Sequence, residues 1–262
     1  MKDSRRLFAA AVALVIGVGL SGAEAAVAGE WEWTLIPYVW ASDVSLDVNV
    51  DGDPLIGEDV SFSDLVDKVD FASQLHFEGQ RGKGGLFFDL SYFEFSDSET
   101  LTGGGIPPLL DGTLVETKEK DSFLEVGGFY RPKGSSHGLD VLFGVRIINV
   151  DQKIDITLPF LVDPTRVRID DSFTDGFVGL RYSGPIGENW GFSARGDVGA
   201  GGTELTWNTV LLFGYQFGQT GKYSLLFGYR QMEIELEEND GDVKVETDIG
   251  LSGPIAGLSI KF

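Results

Sequence analysis

The sequence predicts an all-β fold, a single antiparallel transmembrane β-barrel of about ten strands. Three observations carry that expectation. The last stretch, Val243 to Phe262, alternates with period two: Phe262, Ile260, Leu258, Ala256 and Pro254 share one face, while Lys261, Ser259, Gly257, Ile255 and Gly253 share the other. A strand that ends on an aromatic suits a barrel, whose final strand pairs with its first to abolish the sheet edge. Beyond the N-terminal leader, no stretch is long and apolar enough to cross a bilayer as a helix. The rest of the chain instead divides into period-two runs bounded by turn residues, each exceeding the roughly 9–11 residues that a tilted strand needs to cross.

In order, the leader comes first. Lys2, Arg5 and Arg6 form a basic region, Leu7 to Leu20 is nearly unbroken apolar sequence, and Ala23-Glu24-Ala25 and Ala26-Val27-Ala28 both fit a small-residue cleavage site. The expected division is therefore a signal peptide over 1–28, with Ala25 the alternative cleavage point, and a barrel over 29–262. The predicted strands are Trp31–Val50, Val69–Gln80, Gly85–Phe95, Leu114–Tyr130, Gly138–Ile156, Arg166–Tyr182, Trp190–Ala200, Leu205–Phe217, Lys222–Glu237 and Val243–Phe262. A helical turn is expected near Asp64 to Lys68. Connections at one end are short and rich in glycine or proline, as at Arg81 to Gly84 and Ser183 to Asn189. At the other end Asp51 to Lys68, Ser96 to Thr113 and Thr157 to Thr165 are longer, the asymmetry expected of periplasmic turns and outer loops. Trp31, Trp33, Tyr130, Tyr182, Trp190, Phe217, Tyr223 and Phe262 then gather at the periplasmic end, with Trp207 and Tyr92 toward the other.

Composition narrows the function classes. The chain has 36 glycines, 12% aromatic residues, no cysteine and a net charge of −21. That excludes disulfide and thiolate chemistry and argues against nucleic acid or anionic lipid as a specific ligand. The acidity keeps an exported, strand-rich chain soluble before insertion.

The leader, the ten alternating segments and the ending Gly257 to Phe262, with apolar residues at the third-last and last positions, resemble the small outer-membrane β-barrels of Gram-negative bacteria, the opacity-type and OmpA-type group. Ile255 departs from that pattern, standing where a polar residue is usual. The resemblance implies a place in the outer membrane, surrounded by its lipid and lipopolysaccharide, and recognition by the barrel-assembly machinery through the strand ending at Phe262. It is architectural, and such barrels serve as adhesins, channels and enzymes alike.

Parity places the polar residues inside. The expected lumen set is His76, Glu78, Asp89, Asp121, Glu125, Arg146, Asp175, Arg181, Arg195, Asp197, Arg230 and Lys261, against outward neighbours such as Phe77, Leu90, Val145, Leu180, Phe192, Phe213, Phe227 and Leu258. Acids and bases are both present, so they can pair, as charges in a low-dielectric interior must. Such a set forms either an ion path or a plug of salt bridges; ten strands lie nearer the closed barrels of eight than the open ones of 16–18. For catalysis, His76 could pair with Glu78 as base and orienter, but no serine is visibly tied to it, and the other histidine, His137, falls in a turn. Asp47, Asn49, Asp51, Asp53 and Glu58 fit a calcium-loop pattern with Gly52 at its bend. No flanking helices accompany it, and the alternation of Val44, Leu46, Val48 and Val50 favours an acidic hairpin turning at Asp51-Gly52. No P-loop, dinucleotide fingerprint, zinc spacing or nucleophile elbow occurs. No cofactor is expected beyond that calcium. The function expected is non-enzymatic, structural or surface-interacting, with a largely plugged lumen. A narrow porin-like channel and a rim-sited lipid- or peptide-processing enzyme are the alternatives.

Overall fold

A computed structural model describes residues 30–102, 111–133, 137–160, 164–218, 221–240 and 243–262. The leader, 1–28, lies outside the described residues. Twelve strands and one short helix are present: β1 (Glu32–Trp40), β2 (Asp43–Val50), β3 (Asp53–Val60), α1 (Phe62–Val66), β4 (Val69–Arg81), β5 (Gly84–Leu101), β6 (Thr113–Tyr130), β7 (Gly138–Thr157), β8 (Thr165–Pro185), β9 (Trp190–Gly201), β10 (Leu205–Phe217), β11 (Tyr223–Asp240) and β12 (Val243–Lys261). Every pairing is antiparallel, and β1 pairs both β4 and β12, so the sheet closes. Trp33 and Phe262 exchange backbone N–H to carbonyl bonds at 3.1 and 3.0 Å across that seam.

Twelve strands make ten staves. The expected first strand, Trp31–Val50, is a single stave in register along β12, from Thr34–Lys261 to Val50–Val245, but its ladder lapses at Ala41 and Ser42. The cause lies opposite, where Pro254 has no N–H to give. Gly253 beside it lets the Ala41 carbonyl come so close that a Cβ would collide with it. The second stave is likewise in two parts. The stretch Asp51 to Lys68, expected as a loop, contains β3, which returns along β2. Asp51 and Gly52 make the turn with φ of +52° and +84°, the mirror-image geometry that suits a two-residue hairpin. Residues Ser61 to Lys68 are then an excursion containing α1, whose Ser61 cap accepts the Asp64 N–H, before β4 resumes the stave. The outer connections are shorter than expected because β5, β6, β7, β8 and β11 run past the predicted ends.

Parity sorts the wall. On β7, for example, Leu139, Val141, Phe143 and Val145 face out and are 38–53% exposed, while Asp140, Leu142, Arg146 and Ile148 face in and are buried. The outward apolar band gives way to polar residues at the row of Ser122, Asn149 and Ser172, level with Tyr92. At the other end its edge carries ring pairs: Trp33 stacks on Phe77 at 5.1 Å, Trp190 meets Tyr215 at 5.0 Å, and Phe217 stacks on Tyr223 at 6.0 Å. Gly196→Ala, where a Cβ meets nothing within 4 Å, should leave heat-modifiable migration in detergent gels unchanged. Gly253→Ala should lower the temperature at which the folded band is lost, because the β1–β2 break has no room for it.

Candidate functional site

The lumen is built from side chains that period two sends inward, in two layers. The inner layer is ionic. Arg146, fully buried on β7, donates from Nε and Nη2 to Glu125 Oε1 at 2.9 and 2.7 Å, from Nη2 to Asp197 Oδ1 at 2.5 Å and from Nη1 to Thr206 Oγ1 at 2.9 Å. Arg195 completes the square, donating to Asp197 Oδ2 at 2.7 Å and Glu125 Oε2 at 2.8 Å. β6, β7 and β9 place these four groups, because Glu125 and Arg146 are cross-strand partners while Arg195 and Asp197 are next but one on a single strand. Carboxylates with both oxygens engaged and guanidiniums filling their forks are what a buried ion cluster needs to offset desolvation.

From this square the network runs both ways. Toward the end that carries Trp33 and Phe262, Arg181 donates to Glu78 and Asp140, and Arg131 chelates Asp140 at 2.6 and 2.9 Å. Phe129 lies between those two guanidiniums, at 4.8 and 5.8 Å from its centroid. Toward the other end Arg230 donates to Asn208 at 3.0 Å, approaches Asp89 at 3.6 Å and covers the Trp40 ring at 4.6 Å. Tyr38 donates to Asp89 at 2.8 Å. Asp175 makes no ion pair in this set. It accepts from the Gly202 and Thr203 N–H groups and from the Thr203 and Thr206 hydroxyls, fastening the β9–β10 turn. Above the ionic layer sits an apolar one: Tyr38, Trp40, Ile148, Met232, Ile234, Leu251 and Ile255, with Phe123, Phe173 and Leu212 packed against them. Ile255, the departure from the terminal pattern, is part of that layer.

Of the expected lumen residues, His76, Glu78, Asp89, Glu125, Arg146, Arg181, Arg195, Asp197 and Arg230 meet in one connected network, with Asp175 beside it. Asp121 lies past the apolar band, and Lys261 is exposed at the opposite mouth, beside Phe262. Sequence reading missed Arg131, assigned to a turn, and Asp140, Tyr38, Thr206 and Asn208. Parity reaches Asp140, three inward steps before Arg146, whereas Arg131 follows the end of β6, beyond the last strand residue that parity could count. His76 is held by Asp89 at Nδ1 and Glu78 at Nε2, at 3.0 and 3.4 Å, and Ser91 is taken by Tyr38. That is a wall group in a network rather than a base beside a nucleophile. Asp47, Asn49, Asp51, Asp53 and Glu58 are strung along the β2–β3 hairpin, with Asp47 opposite Gly57 and Glu58 opposite Leu46. Among the described residues no three His, Asp or Glu side chains converge in a way that could hold a metal.

No protein-family model matches the chain, and no curated protein matches it in sequence. Among solved structures, the translocator domain of autotransporter NalP from Neisseria meningitidis is similar at TM-score 0.49 and 12% identity, covering 99% of this chain and 96% of that one. The outer membrane protease OmpT from Escherichia coli follows at 0.45 and 8%, covering 91% and 99%. Ail, the attachment invasion locus protein of Yersinia pestis, stands at 0.33 and 10%, covering 86% and 97%. Membrane placement rests on the wall itself: a closed sheet with an exposed apolar band outside and its charges paired inside. The protein is a closed transmembrane β-barrel.

Replacing Arg146 with alanine strands Glu125 and Asp197 in the lumen. The variant should lose about 3–5 kcal/mol, the range for breaking a buried pair from one side, measured as a shift of the urea midpoint in lipid. Val145→Ala, one residue away on the lipid face, should cost far less.

Proposed function

We propose that this barrel is a non-enzymatic surface protein with a structural or interaction role and a lumen that does not conduct. The observation that supports it is the two-layer filling of the lumen. An ionic network from Arg131 to Arg230 lies beneath an apolar layer, and each blocks what the other would pass: ions meet Met232 and Ile234, and apolar solutes meet the arginines. Ten staves with a filled interior also suit the opacity-type and OmpA-type group. The absence of a serine, threonine or cysteine on His76 speaks against hydrolysis, and the hairpin that takes up Asp47 to Glu58 speaks against a calcium loop. Lipid and lipopolysaccharide would surround the wall, and the assembly machinery would read the strand that ends at Phe262.

In a planar bilayer the purified barrel should stay quiet. Stable openings of hundreds of picosiemens, the order of magnitude for a water-filled pore, would overturn the plug in favour of a channel. Removing Phe262 should reduce membrane levels in cells more than it reduces refolding in vitro. Equal levels with and without it would show that the terminal aromatic is not an assembly signal. Chelation of calcium should leave the melting temperature unchanged.

A further inference from the structure

Past the apolar band the ten staves do not continue as one cylinder. β5, β6, β7 and β8 run on as a four-stranded sheet, paired out to Leu101–Thr113, Leu114–Thr157 and Ile156–Thr165. β11, β12, β2 and β3 run on as another. Two gaps on opposite sides of the barrel separate them. On one side the β9–β10 hairpin turns low, at Gly201 to Glu204, and leaves β8 from Thr165 to Phe173 without a strand partner on that edge. On the other side, among the described residues, β3 pairs only with β2, and β5 beyond Phe95 has no strand partner on its β4 edge, where Lys68 accepts the Ser96 N–H and pairs with Asp97 before the edge is left open.

The inner faces of these sheets are apolar. Phe123, Phe173 and Ile249, packed on the closed apolar layer, fix the parity. The same faces then continue through Val115, Ile154 and Ile169 on the first sheet and Leu46, Val48 and Val245 on the second. Higher up, none of the described residues covers them: Val167, Ile169 and Val243 are 46, 41 and 42% exposed. Charge is sorted between faces as well. Among the described residues, every charged side chain that parity turns inward on the two sheets is a carboxylate. Asp97, Glu99, Glu119, Asp121 and Asp171 are on the first and Glu58 and Glu238 on the second, and of these Asp97 is met at 2.7 Å by Lys68 from the α1 excursion. The bases Lys118, Lys120, Lys153, Arg166, Arg168 and Lys244 all face outward, and most pair there with Glu94, Asp151, Asp155 and Glu246. Solubility alone does not require this sorting, since an acid serves it on either face.

Among the described residues, one pair inside the cleft has no cation beside it. Glu119 and Asp121 are neighbours on the inner face of β6, and one oxygen of Asp121 is buried without a hydrogen-bond partner. Burial raises both carboxyls, and the neighbouring Glu119 adds to it at Asp121, which is pushed up to about 8. A paired arginine, of the kind that serves Glu125 below, is missing here.

Each inner face is about 20 Å wide, from four strands at their usual spacing, and the cleft is open at both gaps. A small amine would leave most of it wet, while a chain could lie across it from gap to gap with its ends free. We propose that this cleft docks an amphipathic cationic polypeptide segment, its apolar side chains on the two inner faces and its cations at the inward carboxylates. The proposal rests on the surface-interaction role above and names its partner chemistry.

The test uses the full mature barrel in zwitterionic nanodiscs, with empty discs subtracted. The probe is a peptide of about 18 residues, five helical turns, with leucine on one face and lysine on the other. Saturable binding is expected, weakened at least about tenfold by Glu119→Gln with Asp121→Asn and by Ile169→Asn. Val167→Ser serves if Ile169→Asn does not fold, and Glu235→Gln with Asp248→Asn on the outward face should change nothing. Binding should tighten from pH 6 to 9 as the carboxyl pair loses its last proton. In the free barrel that same pair holds a proton that the unfolded chain releases, so stability should fall as pH rises between about 4 and about 8. Asp121→Asn should flatten that slope. No saturable binding, equal binding of polylysine, or loss only with the outward-face variant would each overturn the cleft. Bilayer recordings on the same preparation separate the two readings: a quiet barrel that binds nothing loses only the cleft, and a conducting barrel that binds loses only the plug.

Discussion

Every other feature of this barrel depends on one hydrogen-bonded seam, β1 against β12. In hydrocarbon an unpaired backbone group costs several kcal/mol, so a sheet there must close or not form. Closure brings Trp33 to Phe262 and commits ten staves to a fixed circumference. That circumference in turn leaves an interior too narrow for bulk water and too wide for backbone alone. Side chains must fill it, and what they are follows from the parity that sends their neighbours to the lipid.

The filling solves an electrostatic problem created by the same closure. Arg146 cannot leave a lumen walled by β7 on its own side, so Glu125, Asp197 and Thr206 must come to it. Because Glu125 and Asp197 are shared with Arg195, no single pair stands alone, and the square tolerates desolvation that would defeat an isolated bridge. Phe87, Phe129 and Phe177 lie against the guanidiniums, which replaces lost hydration with ring faces rather than with void. Above this, Trp40 and Met232 shut the lumen with apolar bulk. In the role proposed above, function lies farther out, on the two sheets beyond the membrane, where Glu119 and Asp121 lie inward with no arginine among the described residues to neutralise them.

Much of the wall was legible because period two survives translation from chain to sheet. Nine of the predicted strands persist, Leu205–Phe217 with its ends unchanged and eight with shifted ends, and the outward runs on β7 and β11 needed only alternation to be assigned. The turn at Asp51-Gly52 was equally open, since few dipeptides accept two positive φ angles. Less legible were the lapse at Ala41–Ser42 and the second half-stave, β3. The first depends on Pro254, over two hundred positions away, and the second on an excursion that resets register through α1. No local window contains either cause.

By itself, then, the sequence determined which face of each strand meets lipid, because hydrophobic alternation is a property of neighbouring residues. It also determined that arginines and carboxylates share the interior. Which arginine meets which carboxylate was decided only in three dimensions. Arg181 reaches Glu78 and Arg195 reaches Glu125 across the lumen, from strands far apart in the chain, and only the circumference and stagger of the closed barrel set those distances. The same is true of the outer cleft. Its carboxylates are plain in the sequence, but the low β9–β10 hairpin and the unpaired edge of β3 divide the wall in two. That division follows from where each ladder stops, which side chains on a single strand cannot specify.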